Sequence, residues 1–156
     1  MVAFISSLAV LALAVPALAM PASNATAELS KRAISYPNFQ NVNCEGLHYY
    51  QKSHVEAAAK KALAVLKTGG TVGWRNTWYP HEWYNREKFQ YAANCQAKWY
   101  EFPIMSNHKD YNGGTNPLED RIVLGSWNGA DDIVLCGVMT HLNAPTVNGF
   151  KPCTLY

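Results

Sequence analysis

The sequence predicts an α+β fold, a single helix packed on a twisted antiparallel β-sheet and held by two disulfides. Three observations carry that expectation. One alanine-rich segment, residues 53–66, has a capping signal at its start and a glycine pair just beyond its end. Short runs rich in aromatic and β-branched residues, 99–104, 121–124 and 133–139, are separated by turn-forming residues. Four cysteines, an even number, sit in a chain that opens on an export-type leader. One helix followed by strands with hairpin turns is the element order of domains whose helix covers one face of an antiparallel sheet.

The chain has 156 residues and a formal charge of +2, which suits one domain with one modest core. Residues 4–18 are almost entirely apolar, and Ala17-Leu18-Ala19 has the small-x-small form of a signal-peptidase site. Residues 1–19 are therefore expected to be a signal peptide and the protein to be secreted. Ser6, Ser7 and Pro16 interrupt the run, which is short for a bilayer span, so no stable membrane association is expected. Residues 20–32 end in Lys31-Arg32, a dibasic pair that marks them as a propeptide. The one glycosylation sequon, Asn24-Ala25-Thr26, would leave with it. The domain is then 33–156. Losing Lys31 and Arg32 from 13 basic residues and Glu28 from 11 acidic ones leaves it a net charge of +1.

Within the domain, Ser53 is expected to cap the helix, with Glu56 completing a capping box. Val55, Ala58, Ala59, Ala62 and Leu66, with Leu63 beside them, make its apolar face, and Gly69-Gly70 stops it. In the run 99–104, Trp99, Tyr100, Phe102 and Ile104 suit a pleated, half-buried surface. Pro103 lacks an N–H and belongs at a strand end, an edge or a bulge. Residues 121–124 and 133–139 read as strands joined by a turn near Trp127-Asn128-Gly129. The second is apolar throughout, as a central strand covered on both faces would be. Residues 112–117 form a loop. Cys44, Cys95, Cys136 and Cys153 allow two disulfides in three connectivities. There is no Cys-x-x-Cys and no His-Glu-x-x-His, so no metal and no cofactor are expected.

Four polar spots stand out on the strand-like runs: Tyr79-Pro80-His81, Glu101, Arg121 and His141. A lone carboxylate among aromatics is costly to bury without a partner, and the candidates for Glu101 are Arg121, His141 and His81. Each residue alone is ordinary. Together they meet the needs of phosphodiester cleavage by a neighbouring 2′-hydroxyl. A general base takes the 2′-OH proton and a general acid protonates the departing 5′-oxygen. Charge developing on the phosphoryl oxygens calls for fixed cations and donors, which Arg and Tyr supply. A sheet can present one such residue per strand on a rigid frame.

In order along the chain stand Tyr79-Pro80-His81, Tyr100-Glu101-Phe102-Pro103-Ile104, Asp120-Arg121-Ile122-Val123, Cys136-Gly137-Val138-Met139-Thr140-His141 and Asn148-Gly149-Phe150-x-x-Cys153. In these blocks the chain resembles the fungal secreted guanyl-preferring ribonucleases and their relatives, the sarcin-type ribotoxins. The resemblance implies the microbial ribonuclease fold, likewise a helix on an antiparallel sheet. It implies that Glu101 is the general base and His141 the general acid, that His81 assists the base, and that Arg121, Tyr79 and Phe150 surround the phosphate. The product would be a 2′,3′-cyclic phosphate, later hydrolysed to a 3′-phosphate.

The same resemblance puts the guanine site on Trp83, Tyr84, Asn85, Arg86 and Glu87, with Asn148 beside them. Arg86 stands where the family has a stacking tyrosine, and a guanidinium also stacks on a base. The cysteine placement is closest to the ribotoxins and implies the pairs Cys44–Cys153 and Cys95–Cys136. Ribotoxins, however, are strongly basic and carry a long lysine-rich loop between the His and Glu blocks. Here nineteen positions separate His81 from Glu101, with Lys88 and Lys98 the only lysines among them. The expected partner is single-stranded RNA, and the expected state a monomer. Two other readings stand beside this one: a ribotoxin-like nuclease cutting ribosomal RNA, and a secreted effector of ribonuclease fold that acts by binding.

Overall fold

Alternation along three long strands builds the platform of the molecule. A computed structural model describes residues 34–156, so the expected signal peptide and propeptide lie outside the described residues. In chain order the elements are β1 (Ile34–Ser35), β2 (Asn41–Cys44), β3 (His48–Gln51), α1 (Lys52–Lys67), β4 (Val72–Trp74), β5 (Thr77–Tyr79), β6 (His81–Trp83), β7 (Trp99–Pro103), β8 (Asp120–Gly125), β9 (Ile133–Thr140), β10 (Lys151–Pro152) and β11 (Thr154–Leu155). The main sheet runs β1-β9-β8-β7-β6, with β10 also on β9. Its pairings are antiparallel except for the short parallel contact of β1 with β9.

Side chains one residue apart on a strand face opposite sides. Phe102, Ile122 and Val138 are register partners, and all three lie in the core shared with the helix. Glu101 and Val123 are the next partners along, with His81 across β6, and these face the other way. On that second face Trp83, Val123, Met139 and Phe150 form a smaller buried cluster. Residues 133–139 of β9 are thus apolar because the strand is covered on both sides. Pro103 is the last residue of β7, beyond the reach of β6, so its missing N–H costs no ladder bond.

The helix buries Val55, Ala58, Ala59, Ala62 and Leu66 against the first face, and its alanines allow a close approach to the sheet. Its start differs from the expectation. The N-cap is Gln51, whose backbone N–H donates to His54 Nδ1 at 3.3 Å, and Ser53 lies inside the first turn. The reason is that β3 runs directly into the helix, so the strand's last residue becomes the cap. At the other end Gly69 takes φ +63°, and its N–H bonds to Leu66 O.

A second sheet, β11-β2-β3, and a β4–β5 hairpin complete the frame. Cys44–Cys153 ties the end of β2 to the link between β10 and β11, and Cys95–Cys136 ties the segment before β7 to the middle of β9. These are the two pairs the resemblance implied. In the loop 112–117, Gly113 has φ +80°, and a Cβ there would come within 2.8 Å of the Gly73 nitrogen. Glycine thus lets this loop lie flat on the β4–β5 hairpin, where Gly114 N–H bonds to Gly73 O.

Candidate active site

The second face of the main sheet carries the polar residues singled out from the sequence. His81 opens β6 directly opposite Glu101 on β7, and the register places His81 Nε2 2.6 Å from Glu101 Oε1. The other ring nitrogen, Nδ1, is 2.6 Å from the carbonyl of Trp78. A carbonyl only accepts, so Nδ1 carries a hydrogen. At 2.6 Å one proton must lie between Nε2 and Glu101 Oε1. The hydrogen bond to Glu101 accordingly raises the His81 pKa, against the opposing effect of burial.

Glu101 is 5% exposed, and its second oxygen, Oε2, has no hydrogen-bond partner among the described residues. A buried carboxylate with one oxygen paired and one open is placed to accept a proton from a bound group. Tyr79 lies beside the pair. Its ring stacks on His81 at 4.8 Å between centroids, and burial raises its phenol pKa while Arg121 pulls the other way.

Arg121 is not the solvated strand-end arginine that its position suggests. It is 3% exposed, with Nη1 held by the carbonyls of Pro117, Leu118 and Asp120 at 3.2, 2.9 and 2.8 Å. Its Cζ stands 5.1 Å from the centre of the Tyr79 ring, and Nε has no partner among the described residues. The result is a fixed cation with a donor to spare. Asp120, which had no role in the sequence reading, secures this end of β8. It is buried and receives the Tyr50 hydroxyl at 2.5 Å and sits 2.6 Å from His48 Nδ1. The only hint in the sequence was its place beside Arg121.

His141 follows β9, and its N–H bonds to Glu119 O. Its Nδ1 lies 2.7 Å from Gly149 O and so is the protonated nitrogen, leaving Nε2 for proton exchange. The ring stacks on Phe150 at 3.9 Å. Phe150 in turn donates its backbone N–H to Glu87 Oε1 at 3.1 Å.

Next to Glu101 opens a cleft of about 160 Å³. Trp83, Tyr84, Arg86, Glu87 and Asn148, five of the six residues expected at a base site, line it together with Glu101 and Phe150. Glu87 keeps one buried oxygen, Oε2, without a partner among the described residues. Asn85 is used differently. Its side chain donates to Phe89 O and accepts from Phe89 N–H, closing a turn in which Asn85 itself has φ +47°. That bond shapes the loop on which Arg86 and Glu87 stand.

A family model described as ribonuclease matches residues 22–154. Guanyl-specific ribonuclease N1 of Neurospora crassa is 30% identical over 157 residues, covering 97% of this chain and 95% of that protein. The chain belongs to this ribonuclease family. Guanyl-specific ribonuclease Th1 of Trichoderma harzianum is 37% identical over 108 residues, 69% of this chain and 92% of that protein. Guanyl-specific ribonuclease T1 of Aspergillus oryzae is 33% identical over 132 residues, 83% and 93% of the two chains. In this ribonuclease the paired Glu101 and His81, the clamped Arg121 and the base-sized cleft all meet on one face of one sheet.

Proposed function

We propose that the protein is a secreted endoribonuclease that cleaves single-stranded RNA on the 3′ side of guanosine without a metal. The observation that carries this reading is the 2.6 Å pairing of His81 Nε2 with Glu101 Oε1, whose other oxygen is unpaired and beside the cleft. Family membership supports the reaction class, and the guanyl-specific relatives support the base. The apolar leader and Ala17-Leu18-Ala19 support export.

In the first step Glu101 takes the proton of the 2′-hydroxyl, and the 2′-oxygen bonds to phosphorus. The bond from phosphorus to the 5′-oxygen breaks, and His141 delivers its Nε2 proton to that oxygen. Arg121 and the Tyr79 hydroxyl offset charge on the phosphoryl oxygens. His81 holds the carboxylate in place through its Nε2. The product is a 2′,3′-cyclic phosphate. Water then opens it with the roles of acid and base exchanged. In the base cleft the open Glu87 oxygen is a hydrogen-bond acceptor for the N1 and N2 donors of guanine, and Arg86 covers the base.

Side chains supply acid, base and cation, so cleavage of RNA is expected to continue in excess EDTA. The same sequence as DNA is expected to stay intact, because it has no 2′-hydroxyl to deliver. Loss of activity in EDTA, or cutting of the DNA, would contradict this reading.

A further inference from the structure

Beside the base cleft lies a second and larger groove, which nothing in the reaction above uses. It encloses about 700 Å³, within the range of small-ligand sites, and its wall includes Tyr84, Lys88, Gln90, Tyr91, Gln96 and Trp99. Tyr84 lines both cavities and is 67% exposed, so it stands between them. Behind it the aromatic floor is continuous. The Trp83 ring of the base cleft lies 6.3 Å from Trp99 and 6.0 Å from Tyr91, the rings of the second groove.

We propose that this groove binds the nucleotide immediately 5′ of the guanosine, with a preference for adenosine over uridine. The proposal rests on the guanosine reading of the adjoining cleft. Its direction follows from what the groove lacks. Tyr79, His81, Arg121 and His141 surround the scissile phosphate, and none of them lines the groove. The leaving nucleotide is attached to that phosphate and therefore lies elsewhere. A nucleotide that meets the protein beyond the guanine, across Tyr84, is the upstream one.

The chemistry of the wall fits a nucleotide. Aromatic side chains give a base a sequence-tolerant stacking surface. Lys88 is exposed and has no carboxylate partner among the described residues, so its charge is available to a phosphate. Lys98, by contrast, is paired with Glu82 at 3.1 Å. The two glutamines add a preference. Gln90 Nε2 donates to Lys88 O and Gln96 Nε2 to Ala93 O, which leaves their oxygens as acceptors. Acceptors favour a base with an exocyclic amine, which adenine has and uracil lacks, and adenine also offers the broader stacking face.

The test compares kcat/KM for GpC, UpGpC and ApGpC in the wild type, in Ala93→Trp and in Lys88→Ala. Ala93 is exposed in the groove wall, so a tryptophan there fills the groove without entering the core. The wild type is expected to favour ApGpC over GpC by about tenfold, the scale of one stacked base, with UpGpC between them. Ala93→Trp is expected to bring the three substrates together at the GpC value. Lys88→Ala is expected to lower both trinucleotides and leave GpC unchanged. Equal values for all three substrates in the wild type would overturn the groove's assignment alone, as would an ApGpC advantage that survives Ala93→Trp. No cleavage of any of them would overturn the nuclease reading and the groove's assignment with it.

Discussion

Replacing Glu101 with alanine separates the two members of the central pair. The substitution removes the group proposed to take the 2′-OH proton, and a general base is worth roughly 10²–10⁴-fold in rate. The loss is expected at the low end of that range, about 10²-fold, because His81 stands 2.6 Å away and can take the proton itself. It can do so only as a neutral imidazole. In the wild type the bond to Glu101 raises the His81 pKa, and without Glu101 that cause is gone. The acid limb of the variant's pH–rate profile should then report His81 at a value below its wild-type one. Stability carries the same signature. A histidine raised by its partner contributes stability that is fully present below its unfolded value, near 6.5, and is lost as pH rises through the folded value. His81 is 42% exposed, so this contribution is about 1 kcal/mol at most. Thermal melts between pH 5 and 9 should show that pH-dependent part in the wild type and not in Glu101→Ala. A Glu101→Ala enzyme with the wild-type rate and an unmoved acid limb would refute both the role of Glu101 and the coupling.

His141→Ala should cost the upper end of that range, about 10⁴-fold, since no described side chain is seen to share its role; wild-type kcat in a folded variant would remove His141 from the mechanism. Cys44→Ala with Cys153→Ala opens a loop with a sequence separation of 109 residues and should lower stability by about 4–5 kcal/mol in urea titration, whereas a loss under about 1 kcal/mol would mean the bridge constrains little. With intact ribosomes at limiting enzyme, a domain of net charge +1 should give a spread of fragments and only a modest salt dependence. A single early fragment from the large ribosomal RNA, lost at higher salt, would instead support the ribotoxin reading.

Much of this architecture was legible because it rests on local chemistry. The helix face of Val55, Ala58, Ala59, Ala62 and Leu66 follows from spacing, and the strand at Glu101 from its aromatic neighbours. The pairing of Glu101 with His81 was one of three options, and only the register of β6 on β7 selects it. What could not be read depends on distant contacts or on competing uses of a residue. The strands of the second sheet are two to four residues long, too short for an alternation such as Asn41-Val42-Asn43-Cys44 to stand out. Gln51 caps the helix because a strand ends there, which outweighs the local capping signal of Ser53. Glu87 reaches the Phe150 N–H across 63 positions of sequence, and Asn85 spends its side chain on its own loop. Arg121 was legible as a cation of the site, but the carbonyls of Pro117, Leu118 and Asp120 that hold it in a buried position were not.

The most direct measurement is the digestion of a defined single-stranded RNA containing all four bases, with every product end identified by mass. Cuts on the 3′ side of guanosine are expected, each leaving a 2′,3′-cyclic phosphate that converts to a 3′-phosphate and a partner fragment with a free 5′-hydroxyl. Products with 5′-phosphates, or cuts distributed evenly over the four bases, would contradict the roles assigned to Glu101 and His141 or to the cleft around Glu87.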